Sequence, residues 1–235
     1  LAGLAGTIAI VDDKRDVNVR LADGIEIYTG NASITAQHNQ VGDTRADAQA
    51  LGLVAGTGAY VKTHMTGAAY AHIEDNVTLI ATDSIRVNAS NTGLKDRYAN
   101  ENNLISGSAG LIGLNALASH TLFGSDASRF TAEVIVGDNA LIEVRGTQLN
   151  PGRIDIGSTA DVYAVDSVFV EGISLFSLSY GRSEIDAATR AAVTIGESEI
   201  RNDSGDVYIT TRSAAAANAS ANMYTAAILF GVTGA

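Results

Sequence analysis

Residues Ile73 to Ser90, IEDNVTLIATDSIRVNAS, decide how this chain must be read. Val77 and Leu79 flank Thr78, and Ile85, Val87 and Ala89 flank Arg86 and Asn88. Apolar and polar residues thus alternate with a period of two, which sends one set of side chains inward and the other to water. The polar interruptions carry Asp, Asn and Ser, residues that tolerate left-handed backbone or bond to their own main chain. The stretch predicts short strands separated by turns.

The same signature recurs from end to end. Val17, Val19 and Leu21 alternate with Asn18 and Arg20, and Ile25 and Ile27 flank Glu26. Later come Ile142-Glu143-Val144, Ile154-Asp155-Ile156, Val193-Thr194-Ile195 and Val207-Tyr208-Ile209. Val19, Ile27, Val87, Val144, Ile156, Val193 and Ile209 are the expected inward residues. Arg20, Glu26, Arg86, Glu143, Asp155 and Thr194 are the expected outward ones. The alanine run in SAAAANASANMYTAAILF permits a helix on propensity alone, but its place among strand-like neighbours predicts a strand.

Two anchors repeat in phase. LADGI at Leu21, IEDNV at Ile73, VGDNA at Val136 and IGESE at Ile195 share an aliphatic residue, an acid two places on, then Gly, Asn or Ser; the steps are 52, 63 and 59 residues. Downstream, Ile34, Val87, Ile156 and Ile209 recur at steps of 53, 69 and 53. Gly/Ala-rich apolar stretches separate the anchored segments, giving approximate units 1–49, 50–103, 104–171 and 172–235 within one continuous segment. A unit that cannot close its own core must stack on its neighbours. The fold expected is all-β: a right-handed parallel β-helix. With about 22 residues per coil it has on the order of ten coils and a length of roughly 50 Å. The single proline, Pro151, falls in TQLNPGR, where the loss of an amide donor does not break a strand ladder.

Composition narrows the partners. The formal charge is −11 and the pI near 4.6, which argues against nucleic acid and against docking on an anionic membrane surface. Aromatic residues are only 6% and tryptophan is absent, so Ala, Val, Ile and Gly must build much of a narrow interior. Cysteine is absent, which excludes disulfides, thiolate metal sites and cysteine nucleophiles. No secretory signal pattern is visible, and the apolar runs are shorter than the ~20 residues of a membrane helix. The apolar starts and stops, LAGLAGTIAIV and YTAAILFGVTGA, lack polar caps and are expected to continue into neighbouring coils of a longer rod.

No catalytic, cofactor-binding or metal-ligating residue is assigned. His38, His64, His72 and His120 lie far apart, as expected of surface or turn residues, and no P-loop, HExxH or GxSxG pattern occurs. Calcium takes clustered carboxylates, and Asp12, Asp13, Asp16, Asp23, Asp75, Asp138 and Glu197 offer some, but calcium-loop spacing is missing and turn roles are preferred. Asn-x-Ser/Thr sequons at Asn31, Asn76, Asn88, Asn202 and Asn218 use the residues that β-helix corners need anyway. For a polysaccharide lyase or hydrolase, Asp155, Asp161 and Asp166 with Arg153 form the nearest approach to an acidic cluster.

The alternation of Gly/Ala-rich stretches with YAHIEDNVTLIATDSIRVNAS, TAEVIVGDNALIEV and RAAVTIGESEI resembles the repeat region of large bacterial filamentous adhesins of the leukotoxin and haemagglutinin type. A degenerate motif, A-x-I-G-D-x-A-x-[VI], recurs there, and its nearest match is Ala132-Glu133-Val134 with Val136-Gly137-Asp138-Asn139-Ala140. The resemblance implies a non-catalytic structural or adhesive shaft segment, extracellular or on the cell surface. Its partners would be neighbouring coils of the same chain and a host or cell-surface receptor or glycan, with neither nucleic acid nor membrane insertion. A polysaccharide-active enzyme and a calcium-stabilised extracellular module are the alternatives. Departures from regularity after Gly93 and from Arg145 to Arg153 mark Thr92 to Asn103 and Thr147 to Arg153 as candidate binding loops.

Overall fold

The computed structural model describes residues 2–96 and 102–234, with 227–232 as backbone only. Among them are twelve strands and no helix: β1 (Ala2–Leu21), β2 (Glu26–Val41), β3 (Ala46–Leu51), β4 (Val54–Ile73), β5 (Thr78–Lys95), β6 (Leu104–Phe123), β7 (Phe130–Val136), β8 (Leu141–Val144), β9 (Arg153–Ala187), β10 (Thr189–Ile195), β11 (Glu199–Asn202) and β12 (Asp206–Gly234). All the pairings between these strands are parallel. Among the described residues, no helix is long and apolar enough to cross a membrane.

The strands stack in three columns. In the first, Ala2 pairs with Val54, Val54 with Ile112, Ile112 with Phe176 and Phe176 with Phe230. The chain therefore returns after 54 − 2 = 52, 112 − 54 = 58, 176 − 112 = 64 and 230 − 176 = 54 residues. The second column contains β2, β5, β8 with the start of β9, and β11 with the start of β12. The third contains β3, the start of β6, and the middles of β9 and β12.

This return distance corrects the expectation of about 22 residues per coil and about ten coils. The strands run on through the Gly/Ala-rich stretches, so β1, β4 and β6 each reach 20 residues and one layer consumes a whole repeat unit. Four layers and the opening of a fifth, at about 4.8 Å each, rise only ~20 Å in place of ~50 Å. Both anchor series lie on register lines: Leu21–Ile73–Val136–Ile195 and Ile34–Val87–Ile156–Ile209.

The corner between the first two columns is built the same way in successive layers. Gly24, Asn76 and Asn139 all have φ between 55° and 70°. Glycine has no Cβ to clash there, and asparagine is the side chain that tolerates this region best. Their amides donate along the stack, Gly24 to Asp75 O (3.1 Å), Asn76 to Asp138 O (2.9 Å) and Asn139 to Glu197 O (2.8 Å).

Behind this corner lies the main core. Ile73, Leu79, Ile85, Val87, Val134, Ile142, Val144, Ile154 and Ile156 are buried there, drawn from the facing first and second columns. Each fully buried aliphatic side chain stabilises by roughly 1.5–3 kcal/mol. Val19, Ile27 and Val193 pack against them from the outer layers, as expected. Ile209 stacks on Ile156 yet remains 51% exposed, because no described strand covers the far side of its layer. A second cluster joins the third column to the first through Val61, Leu104, Leu117, Val168 and Val170. Met65, Phe123 and Phe130 form a third, with the two phenylalanines edge to face.

The interior is not a purely aliphatic column. His38, Gln40, Thr63, Asn91, Lys95, Asn103 and Asp166 are buried between the columns. The Asn91 amide donates to Gly67 O (2.8 Å) and Thr131 O (3.0 Å), and Gln40 donates to Thr66 O (2.9 Å). These bonds satisfy carbonyls where β4 loses its regular ladder, between its pairings with β6 and β7. Such partners make the burial of these amide nitrogens tolerable, whereas Gln40 Oε1 is left without one.

Candidate functional site

On the first column, the layers do not match in length at one point. Met65 pairs with Phe123 and Ala68 with Thr131, so three residues of β4 span the same gap as eight of the next layer. The surplus, residues 124–129 (GSDASR), forms a projecting loop. Gly124, at φ 67°, starts it, and its amide donates to Met65 O at 2.9 Å. Ser125 and Ser128 exchange backbone hydrogen bonds across its tip (2.8 and 3.1 Å).

A groove of about 570 Å³ lies beside this loop, lined by Lys14, Asp16, Tyr70, Asp126, Arg129 and Arg190 among others. Successive layers supply the members: β1 gives Lys14 and Asp16, β4 gives Tyr70, the loop gives Asp126 and Arg129, and β10 gives Arg190. Asp16 Oδ1 accepts the Ala68 amide at 2.9 Å, and Arg190 pairs with Glu133 at 3.2 Å. Partial burial, then the carboxylates of Asp16 and Glu133, push the Tyr70 hydroxyl above its ordinary pKa. Tyr70 is thus a neutral hydrogen-bond donor and acceptor at neutral pH, not a base. Lys14, Arg129 and Arg190 stand among Asp16, Asp126 and the Arg190-paired Glu133, a charge-balanced setting in which Lys14 and Arg129 can offer charge-assisted hydrogen bonds to a polar ligand.

A second groove, about 380 Å³, runs over the outer face of the second column past Arg86, Arg153, Asp155 and Tyr208. Arg153 binds Asp155 (2.6 Å) and lies 4.4 Å from the Tyr208 ring centroid. The Tyr208 hydroxyl donates to Asp206 at 2.9 Å, and that bond raises its pKa. The acidic cluster considered from the sequence does not assemble. Asp155 and Asp161 sit on the outer face, six strand residues apart and hence separated by ~20 Å, with Asp161 beside Arg212. Asp166 is buried with Lys95.

The histidines also stay apart. His64 faces Asp12 (3.2 Å), His72 faces Glu74 (3.8 Å) and His120 faces Asp186 (2.9 Å). His38 departs from the surface or turn role expected of it: it is buried against Asn91, 3.1 Å from Oδ1. The acids weighed for calcium are engaged singly. Asp13 binds Arg15 (2.8 Å), Asp23 accepts from Asn76 (2.9 Å), and Asp75 and Asp138 accept the amides of Asp138 and Glu197, each at 2.8 Å. Among the described residues, no three His, Asp or Glu gather as metal ligands.

Of the loops expected to project, Thr147–Asn150 does so as a tight turn, with Leu149 99% exposed. Thr92 to Lys95 continue β5 instead, and residues 97–101 lie outside the described residues. Sequence reasoning missed the 124–129 loop, although GSDAS is turn composition between two apolar runs. Comparison with family models, curated proteins and solved structures returns no match.

Proposed function

We propose that this chain is a β-helical solenoid segment of a large bacterial surface or secreted filamentous protein, with a structural and adhesive role and no chemistry of its own. The observation that supports it most directly is the layer-to-layer register. Irregular length is shed into outward loops at 124–129 and 147–150, while the stacked strands keep pairing on either side. Such a scaffold presents loops from a rigid frame, the usual arrangement for recognition. The groove beside 124–129 is the contact proposed for an anionic glycan, because it gathers Lys14, Arg129 and Arg190 in a chain of net charge −11.

Removing residues 125–128 and joining the flanks through glycine tests the reading. The variant keeps its strand-dominated circular dichroism and loses retention on immobilised acidic polysaccharide, as does Arg129→Ala with Arg190→Ala. Unchanged retention in both variants refutes the groove as the adhesive contact. Release of unsaturated or reducing ends from the polysaccharide by purified wild-type chain favours the enzyme reading instead.

A further inference from the structure

The outer face where the third column turns into the first carries an uninterrupted apolar stripe. Leu4, Ile112, Leu114, Phe176, Leu178 and Tyr180 are all exposed, Leu4 to 82%. The stripe follows from register: Leu4, Gly56, Leu114 and Leu178 form one line across four layers, and Val54, Ile112 and Phe176 form the next. Leu51 and Ile173 extend it around the corner, joined in register through Ala109. From the line of Ile173 to that of Tyr180 no charged residue occurs in any layer.

Two copies of a chain with net charge −11 repel one another over most of their surfaces. This is a face on which the repulsion is locally missing and apolar area is available. Four layers at about 4.8 Å, by eight strand residues at about 3.3 Å each, give roughly 500 Å². That lies at the upper end of the patch found on ordinary monomers, about 300–600 Å². Two such faces together bury roughly 1,000 Å², which reaches the threshold of a specific interface. Glutamate 171 and Arg182 stand at the two margins and supply a polar rim.

We infer that this stripe is a lateral interface with a second copy of the same chain, the two layered stacks meeting side by side about a two-fold axis. The inference stands apart from the adhesive reading, since neither the groove nor its loop takes part in it.

The chain contains no cysteine, so a single introduced thiol reports cleanly. In the full chain, Leu114→Cys yields a covalent dimer under mild oxidation, whereas Glu26→Cys, on the outer face of the second column, stays monomeric. Sedimentation of wild type across a concentration series shows a monomer–dimer equilibrium, and Leu114→Glu with Leu178→Glu shifts it to monomer with unchanged circular dichroism. A wild-type monomer at every concentration overturns the inference. So does association that persists in the double glutamate variant, which would place the contact on the open strand edges. Capture of monomers by neutral phosphatidylcholine vesicles, without crosslinking at Cys, would assign the stripe to a lipid surface and also overturn it.

Discussion

Lys95 Nζ lies 2.8 Å from Asp166 Oδ1, and both side chains are wholly buried although 71 residues separate them in the chain. Asp166 also accepts hydrogen bonds from Ser119 (2.8 Å) and Ser183 (3.0 Å), while Lys95 reaches Val165 O at 3.4 Å. The pair sits at the bend between the second and third columns, where Ala164 to Val168 are consecutively buried. A buried ion pair repays its desolvation only when its remaining hydrogen-bonding capacity is also met, and here several partners meet it.

Removing one partner should therefore cost far more than removing both. Asp166→Ala leaves an ammonium buried without its counter-ion and destabilises by about 3–5 kcal/mol. Lys95→Met with Asp166→Leu is close to neutral on the same scale. Urea titrations of the two variants decide it, and equal midpoints would show that the pair contributes nothing specific.

Register makes a second pair informative. Ile156 is 1% exposed within the main core, while its neighbour Asp155 points outward to Arg153. Ile156→Asp places a charge among aliphatic side chains and costs several kcal/mol, enough to unfold a layer. Asp155→Asn removes one exposed ion pair and costs about 0–1 kcal/mol. Thermal melts should separate the two widely.

Glu143 makes stability depend on acid. Its carboxylate points to the outer face, as expected, yet is only 2% exposed because Arg145 and Arg201 cover it at 2.9 Å each. The hydrogen bond from Arg145, followed by that from Arg201, holds its pKa below the ordinary value. A carboxylate depressed in the folded state binds fewer protons there than in the unfolded chain. Its contribution is present above the unfolded pKa, about 4.3, and is lost as pH falls through the lower folded value. Melting temperature measured from pH 6 down to pH 2.5 should fall less steeply in Glu143→Gln than in wild type, and parallel curves would remove Glu143 from the account.

The corner between the first two columns has its own test. Asn139 adopts φ 55°, where a β-branched side chain is strained. Asn139→Val should cost about 1–2 kcal/mol, and Asn139→Gly only a few tenths. Chemical denaturation of both variants checks the order. Gly137 precedes it under a tighter constraint, since a methyl there would overlap the Asp75 carboxylate, so Gly137→Ala should lose the Asp75-to-Asp138 amide bond as well.

Local chemistry was enough to establish strands, corners and stacking partners. Alternation around Val87 and Ile156 needs only a period of two, and the left-handed corners need only Asn or Gly at Gly24, Asn76 and Asn139. Because parallel stacking places equivalent residues above one another, the spacing of Leu21, Ile73, Val136 and Ile195 already contained the register. Whether one such step makes a single layer or several shorter coils was not legible there, because a long strand can bend without ending, as β9 does where Ala164 to Val168 are buried in succession. Nor does a residue's own neighbourhood tell that Glu143 is covered by Arg201, 58 positions on, or that Lys95 meets Asp166. Those contacts, and the groove assembled from β1, β4, β10 and a six-residue loop, exist only once separate layers lie about 4.8 Å apart. Burial and charge pairing are properties of the stack, whereas strand and turn are properties of the segment.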